Sequence, residues 1–194
     1  MPLAPWRSPL ARALHRNRSL VHARYLQLAT VRSDGRPANR TIVFRGFLDQ
    51  TNQLEFITDT RSSKVDQLLL HPWGEACWYF PKTREQFRLM GKLTIVSANA
   101  EAELLKARQN LWHSLSDASR VQFVWPEPRK PRSDEAFEQL PPDAADPLPN
   151  FCLLLFDLDQ VDHLELRGEP QNRYLYLKNT AAADEDWSIQ SINP

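Results

Sequence analysis

The stretch TRSSKVDQL (60–68) follows LEFITD (54–59) and sets a lysine at what reads as a helix start. The first turn of a helix carries partial positive charge from its free backbone N–H groups, so a cation there costs about 0.3–1 kcal/mol. Lys64, with Arg61 beside it, therefore asks for an anion. A strand running into a Ser-capped helix is a natural phosphate site, because both the N–H groups and the dipole face the ligand. Two readings of Ser62 and Ser63 stand side by side. Either they cap the helix, Ser63 with Asp66 forming a capping box, or they join Lys64 around a phosphate. Two further cations, Arg40 and Arg45, lie upstream in ANRTIVFRGFLD (38–49). Their odd spacing sends them to opposite faces of a regular strand, where they serve different groups, unless Gly46 marks a bulge that re-aims Arg45.

The elements that must position these groups follow from periodicity. Trp6, Leu10 and Leu14 recur every fourth residue of PWRSPLARALHRN (5–17), which predicts an N-terminal helix within residues 1–20. Its arginines suit a membrane surface, but three apolar residues supply little insertion energy, so docking on the protein body is expected. YLQLATVR (25–32), an Asp-Gly turn at SDGRP (33–37), ANRTIVFRGFLD and LEFITD read as a three-stranded meander. SSKVDQLLLHP (62–72) is a short helix stopped by Pro72. WGEACWYFP (73–81) and EQFRLMGKLTIVSA (85–98) are strands, while AEAELLKARQNLWHSL (100–115) and SDASRVQFVW (116–125) are helical. Residues 126–150 hold seven of the fifteen prolines and no apolar period, so they form a long loop, a class usually functional or mobile. FCLLLFDLDQ, VDHLELRG, NRYLYLK and WSIQSIN close the chain as short strands. The sum is a single domain, 1–194, mainly β within the α+β class: an antiparallel β-barrel with peripheral helices.

Composition narrows the partners. Lys plus Arg (24) equal Asp plus Glu (24), so no global field recruits nucleic acid or an anionic membrane, and any anion site is local. Cys77 and Cys152 make no disulfide framework, and no apolar run approaches the ~20 residues of a span. With no signal-peptide core at the N-terminus, a cytoplasmic protein is expected. The five histidines, His15, His22, His71, His113 and His163, show neither metal-ligand spacing nor a carboxylate companion, so no metal is expected. Trp73, Trp78, Trp112 and Trp125 read as core or interface anchors.

NRTIVFRG, LEFITDTRSSKVDQL and REQFRLMGK, in this order and at these separations, resemble the pyridoxamine 5′-phosphate oxidase family of FMN-binding split barrels. The resemblance runs from about Ala29 to the end of the chain. LRGEPQNRYLY (166–176) is similar to the family's W-x-G-x-P-x-R stretch, and DWSIQSINP (186–194) to its terminal Trp…Pro signature. It implies a split β-barrel and a homodimer with FMN at the subunit interface. It places Arg40 and Lys64 on the FMN phosphate with Ser62 and Ser63, and Ile42 and Val43 along the isoalloxazine ring through their backbone. Thr58 would touch the flavin, and Gln86 would reach it from the other subunit. On the substrate side Arg45 stands where the family has a lysine for the substrate phosphate, and Arg173 matches a family arginine; both are the catalytic candidates. Ser119 is retained in the phosphate-binding helix, and Arg120 follows it.

The departures cluster there: Leu111 and Leu115 hold Tyr and Arg positions, Leu166 a Trp position, and Ser191 an Arg position. His113 is the one histidine near this region. The implied reaction is oxidation of pyridoxamine or pyridoxine 5′-phosphate, a small phosphorylated substrate, with hydride passing to FMN and then to oxygen. The alternatives are an FMN-dependent, nicotinamide-linked reductase and a non-catalytic flavin-binding protein.

Overall fold

The computed structural model describes residues 2–132, 134–179 and 186–194, so position 133 of the proline-rich loop lies outside the described residues. All strand pairings are antiparallel, and the order β2-β1-β5-β6-β7-β4-β3 leads from one end of the sheet to the other. These strands are β1 (Tyr25–Val31), β2 (Pro37–Val43), β3 (Gly46–Phe47), β4 (Leu54–Asp59), β5 (Trp73–Phe80), β6 (Glu85–Val96) and β7 (Phe151–Glu165). β8 (Asn172–Asn179) adds to the far half of β7, and β9 (Asp186–Ser191) adds to β8. β2 packs back beside β4, which curls the sheet into a barrel. Helix α1 (Arg7–Asn17), α2 (Ser63–Leu70), α3 (Ala102–His113) and α4 (Asp117–Arg120) lie around it. None of the helices is long and apolar enough to cross a membrane, among the described residues.

Two apolar cores explain the pattern of the strands. Leu26, Leu28, Phe56, Trp78, Phe87 and Phe156 fill the barrel. Trp112, Leu115, Phe123, Phe151, Leu153 and Leu155 form a second core under α3 and α4. β7 runs between them, sending Leu154 and Phe156 to the barrel and Leu153 and Leu155 to the helices. That is why FCLLLF has no polar alternation: both faces of the strand are covered. The N-terminal helix docks as expected, with Trp6 fully buried and edge-on to Trp187 at 6.0 Å between centroids.

Three local readings are corrected. FCLLLFDLDQ and VDHLELRG are one strand, whose register with β6 shifts between Met90 and Gly91. The shift brings backbones together so closely that a Cβ on Gly91 would sit 2.0 Å from the Asp157 carbonyl oxygen. ANRTIVFRGFLD is two strands. The Phe44 N–H still bonds the Arg24 carbonyl in line with β1, whereas the Arg45 N–H bonds the Glu55 carbonyl at 2.9 Å, so the chain changes partners at this corner. SDASRVQFVW is helical only over Asp117–Arg120, followed by a 3₁₀ turn, Val121–Phe123. The Arg61 guanidinium takes the carbonyls of Phe123 and Trp125, which stops the helix from continuing.

Candidate cofactor site

β2, β4 and the start of α2 converge at one end of the barrel. Arg40 of β2 is held by three acceptors: the Leu28 carbonyl at 3.2 Å, Thr30 Oγ1 at 2.6 Å and Gln67 Oε1 at 2.9 Å. Thr30 also donates to Gln67 at 2.6 Å, so strand β1 and helix α2 fix one guanidinium between them. None of its acceptors is a carboxylate. Lys64 Nζ donates to Thr58 Oγ1 at 2.5 Å and to Ser62 Oγ at 3.0 Å. Ser62 is the N-cap of α2, yet its side chain caps no N–H. The capping-box reading of Ser63 and Asp66 is therefore not realised; the Ser62 hydroxyl is turned to the lysine.

The electrostatics of this corner are strained. Burial, and then the nearby Arg40, lower the Lys64 pKa to about 8, against smaller opposing pulls from Asp59 and Cys152. Burial also lowers the Arg40 pKa, helped by Arg32. Two converging cations with no bonded carboxylate are costly unless an anion joins them. A phosphate dianion supplies that charge, and charge-assisted hydrogen bonds make such contacts strong. These residues fit the phosphate of a flavin mononucleotide.

Arg61 differs from Lys64. Its Nε and Nη2 pair with Asp59 at 2.9 and 2.6 Å, and Asn150 reinforces the same carboxylate at 2.7 Å. Burial alone would raise the Asp59 pKa, but hydrogen bonds from Arg61 and Asn150 hold it low. Arg61 is a structural clamp on residues 123–125.

The other expected residues are spread over three places. Ile42 is buried in the barrel core and Val43 is half-buried beside it, so mainly backbone is left to face a ring. Arg45 lines a separate cavity of about 370 Å³ between β3, β4 and α3, with Asp49, Glu55, Glu103, Lys106 and Leu111. Its Nε is buried without a partner, and burial and Arg24 lower its pKa. Arg120 is buried and turned back on its own helix, bonded to Asp117 and to the Leu115 carbonyl. The Ser119 and Ser116 hydroxyls lie 3.1 Å apart. His113 bonds the Ala145 carbonyl oxygen at 3.0 Å.

Gln86 and Arg173 lie elsewhere in the chain, on β6 and β8. Arg173 makes a two-point pair with Asp162, at 2.9 and 2.7 Å, and Arg88 joins the same carboxylate at 3.0 Å. Spacing along the chain gives no histidine a carboxylate companion; the structure corrects this. His163 Nε2 lies 3.0 Å from Glu85 Oε2, with Glu165 close by. Cross-strand pairing of β6 with β7 brings Glu85 there, while Glu165 shares the face of His163 two residues along the same strand, a companion that the strand's period of two could have shown.

Four residues of the site had no individual signal in the sequence. Thr30 and Gln67 orient Arg40. Arg32 and Arg129 line, with Arg40 and Ser63, a cavity of about 610 Å³. Arg129 also borders a second cavity of about 460 Å³ that contains Thr58, Ser62 and Lys64.

An antiparallel barrel that sets Arg40 of β2 near Lys64 at the start of α2 defines a class: a β-barrel suited to holding a phosphorylated ligand. Residues 3–97 match the family model described as "Pyridoxamine 5'-phosphate oxidase, FMN-binding domain". The chain is 37% identical to "Pyridoxine/pyridoxamine 5'-phosphate oxidase 2" of Arabidopsis thaliana across 99% of this chain and 98% of that protein. It belongs to the pyridoxamine 5′-phosphate oxidase family, and its cofactor is FMN. A crystal structure of a pyridoxamine 5′-phosphate oxidase-related, FMN binding protein from Nostoc punctiforme PCC 73102 superposes with a TM-score of 0.96, at 63% identity and full coverage of both chains. PhzG from Burkholderia lata 383 shares the fold, with a TM-score of 0.79 at 20% identity over all of this chain and 94% of the other.

Proposed function

We propose that the protein is an FMN-dependent oxidoreductase that oxidises a B6-type substrate, pyridoxamine or pyridoxine 5′-phosphate, and returns the electrons to oxygen. The observation that carries this reading is the Arg40–Lys64 pair, two cations held by neutral acceptors and needing a dianion. When bound, the flavin supplies the hydride-accepting chemistry. The chain's own residues bind and orient. Arg40 and Lys64 take the phosphate oxygens, Ser62 and Ser63 border them, and Thr58 keeps the Lys64 ammonium in place. Ile42 and Val43 offer backbone to the ring. Arg45 is the candidate cation for the substrate phosphate; Ser119 does not line its cavity and meets Ser116 instead. Gln86 and Arg173 line neither cavity that holds Arg40 or Lys64, so in this reading they reach the site across the interface of a homodimer.

A second reading has its own observation. The cavity at Arg45 carries three carboxylates, Asp49, Glu55 and Glu103, against two cations, Arg45 and Lys106. Leu111 and Leu115 are buried in the adjoining apolar core, and Arg120 is spent on Asp117. That lining is poorly suited to a phosphate dianion and so weighs against a phosphorylated substrate at Arg45; the second reading is an FMN-dependent reductase whose nicotinamide donor binds outside this cavity. Anaerobic mixing distinguishes the two. Bleaching of the flavin absorbance by pyridoxamine 5′-phosphate is the expected result. Bleaching by NADPH alone would replace the oxidase by the reductase, and no bleaching by either would leave a flavin-binding protein without this activity.

A further inference from the structure

Strands β6, β7 and β8 set Gln86, Leu164 and Arg173 in one row, because Gln86 pairs with Leu164 and Leu164 with Arg173. Residues paired directly across antiparallel strands project to the same face of the sheet. The next row on that face, two residues along each strand, is Arg88, Asp162 and Leu175. The row between them projects to the opposite face, where His163 stacks on Phe87 at 4.0 Å between ring centroids. Gln86 and Arg173, which line neither the Arg40 cavity nor the Lys64 cavity, therefore share a sheet face of their own.

Asp162 is the one carboxylate of these two rows, and it is 4% exposed. Its Oδ1 accepts from Arg173 Nε at 2.9 Å and its Oδ2 from Arg173 Nη2 at 2.7 Å. Two parallel bonds to one planar edge fix the rotation of a guanidinium as well as its position. The remaining nitrogen, Nη1, has no partner among the described residues and is not shut in the interior. The Arg173 side chain keeps 26% of its surface accessible.

The charges agree with this arrangement. Arg88 donates to the same Oδ2 at 3.0 Å and lies 3.6 Å from Glu75, so it has a second carboxylate of its own. Arg173 has Asp162 alone. A buried carboxylate paired with arginine is weak as a stabiliser, since apolar residues of the same size often do as well or better. What the pair secures is the direction of one guanidinium.

We propose that Asp162 is the positioning residue of Arg173. It grips the Nε–Nη2 edge and thereby turns the Nη1 edge outward, on the face that Gln86 shares, to meet an anionic oxygen of the substrate. The inference rests on the proposed oxidation, in which Gln86 and Arg173 reach the site across a homodimer interface. In this role Asp162 touches neither substrate nor flavin and acts through Arg173 alone.

Steady-state oxidation of pyridoxamine 5′-phosphate by the FMN-loaded full chain tests this, with FMN affinity measured on every variant. Asp162→Asn keeps the side chain's size but sets an amide N–H against an arginine N–H. It should lower kcat/KM by about 10- to 100-fold and leave FMN affinity within about threefold of wild type. Asp162→Glu, which keeps two charged oxygens, should recover most of that loss. Arg88→Gln leaves the two-point grip intact and should stay within about threefold of wild type. The deciding measurement is the cycle with Arg173→Gln. If Asp162 works through Arg173, the double variant is no worse than Arg173→Gln alone, within about threefold. Losses that multiply would give Asp162 a separate role and overturn the proposal. An Asp162→Asn protein with kcat/KM within about threefold of wild type overturns it as well, as does an equal loss of FMN affinity, which marks a disturbed fold. Full activity in Arg173→Gln overturns it and leaves the oxidation standing. Wild-type protein that binds FMN yet does not oxidise the substrate removes the proposed function, and this inference with it.

Discussion

Replacing Lys64 with methionine separates the fold's interest from the cofactor's. Burial and Arg40 lower the Lys64 pKa from 10.5 to about 8. At about 1.4 kcal/mol per unit, the charged form costs the cofactor-free fold about 3 kcal/mol. Methionine removes that cost and keeps most of the buried stem. It also strips a donor from the Thr58 and Ser62 hydroxyls, a loss of about 1 kcal/mol. The net expectation at neutral pH is a gain of about 2 kcal/mol, or about 4–8 °C in Tm for a chain of this size. The sign with pH is fixed by linkage. The folded value lies below the unfolded one, so between about pH 8 and 10.4 the unfolded chain holds more protons and wild-type stability rises with pH. The advantage of the variant is therefore full below about pH 8 and gone above about pH 10.4. FMN affinity moves the other way. Losing a charged hydrogen bond of about 1.5–3 kcal/mol weakens FMN by roughly 10- to 150-fold. Riboflavin, with no phosphate, should bind as before. Thermal melts of the cofactor-free protein across this pH range, with parallel FMN and riboflavin titrations, read all three effects. A Lys64→Met protein less stable than wild type at neutral pH, or an equal loss for both flavins, would refute the reasoning.

Two structural predictions accompany it. Gly91→Ala puts a methyl 2.0 Å from the Asp157 oxygen and 2.7 Å from the Leu158 Cα, both backbone atoms. The β6–β7 register must shift, so the urea midpoint should fall by the equivalent of about 1–3 kcal/mol; an unchanged midpoint would show that the close approach is not required. The Asp162 pKa is lowered chiefly by its hydrogen bond from Arg173, with Arg88 adding to the effect. A depressed carboxylate contributes stability above its unfolded pKa of about 3.9 and loses it as pH falls through the folded value. Asp162→Asn should cost about 1–3 kcal/mol at neutral pH, since both arginines keep contact with solvent, and little at about pH 2. A pH-independent loss would assign the effect to packing.

The barrel was legible wherever one face of an element is wet. β1, β4 and β5 alternate buried and accessible residues, and their limits are readable to within a residue or two. β7 was not, because its first half separates two cores and its second half pairs with both β6 and β8. The polar residues Asp157, Asp159 and Gln160 read as an interruption, yet they sit around the register shift opposite Gly91. The corner at Phe44–Arg45 was hidden for a different reason. A strand that changes partners keeps its β-branched and aromatic composition throughout, so composition cannot mark the point of exchange. The end of α4 was fixed from outside, by a guanidinium some sixty residues earlier in the chain.

The site divides along the same line. The phosphate end could be read because it breaks a local rule: a cation at a helix N-terminus is visible in nine consecutive residues. Even there, sequence counts charges without knowing which are answered. Arg61 and Lys64 look equivalent, but Asp59 neutralises the first, whereas among the described residues the second bonds to hydroxyls. The proposed substrate end breaks no local rule. Arg45, Glu55 and Glu103 sit in separate segments, each unremarkable alone, and only the packing of α3 over β3 and β4 sets them around one cavity. In the proposed reading their summed charge, three carboxylates against Arg45 and Lys106, weighs against a phosphate dianion there. The residues that fit the cofactor phosphate are thus marked by one turn of helix, whereas the proposed substrate cavity depends on a balance of three carboxylates against two cations. That balance makes the anaerobic comparison of pyridoxamine 5′-phosphate with NADPH the experiment on which the choice of reaction turns.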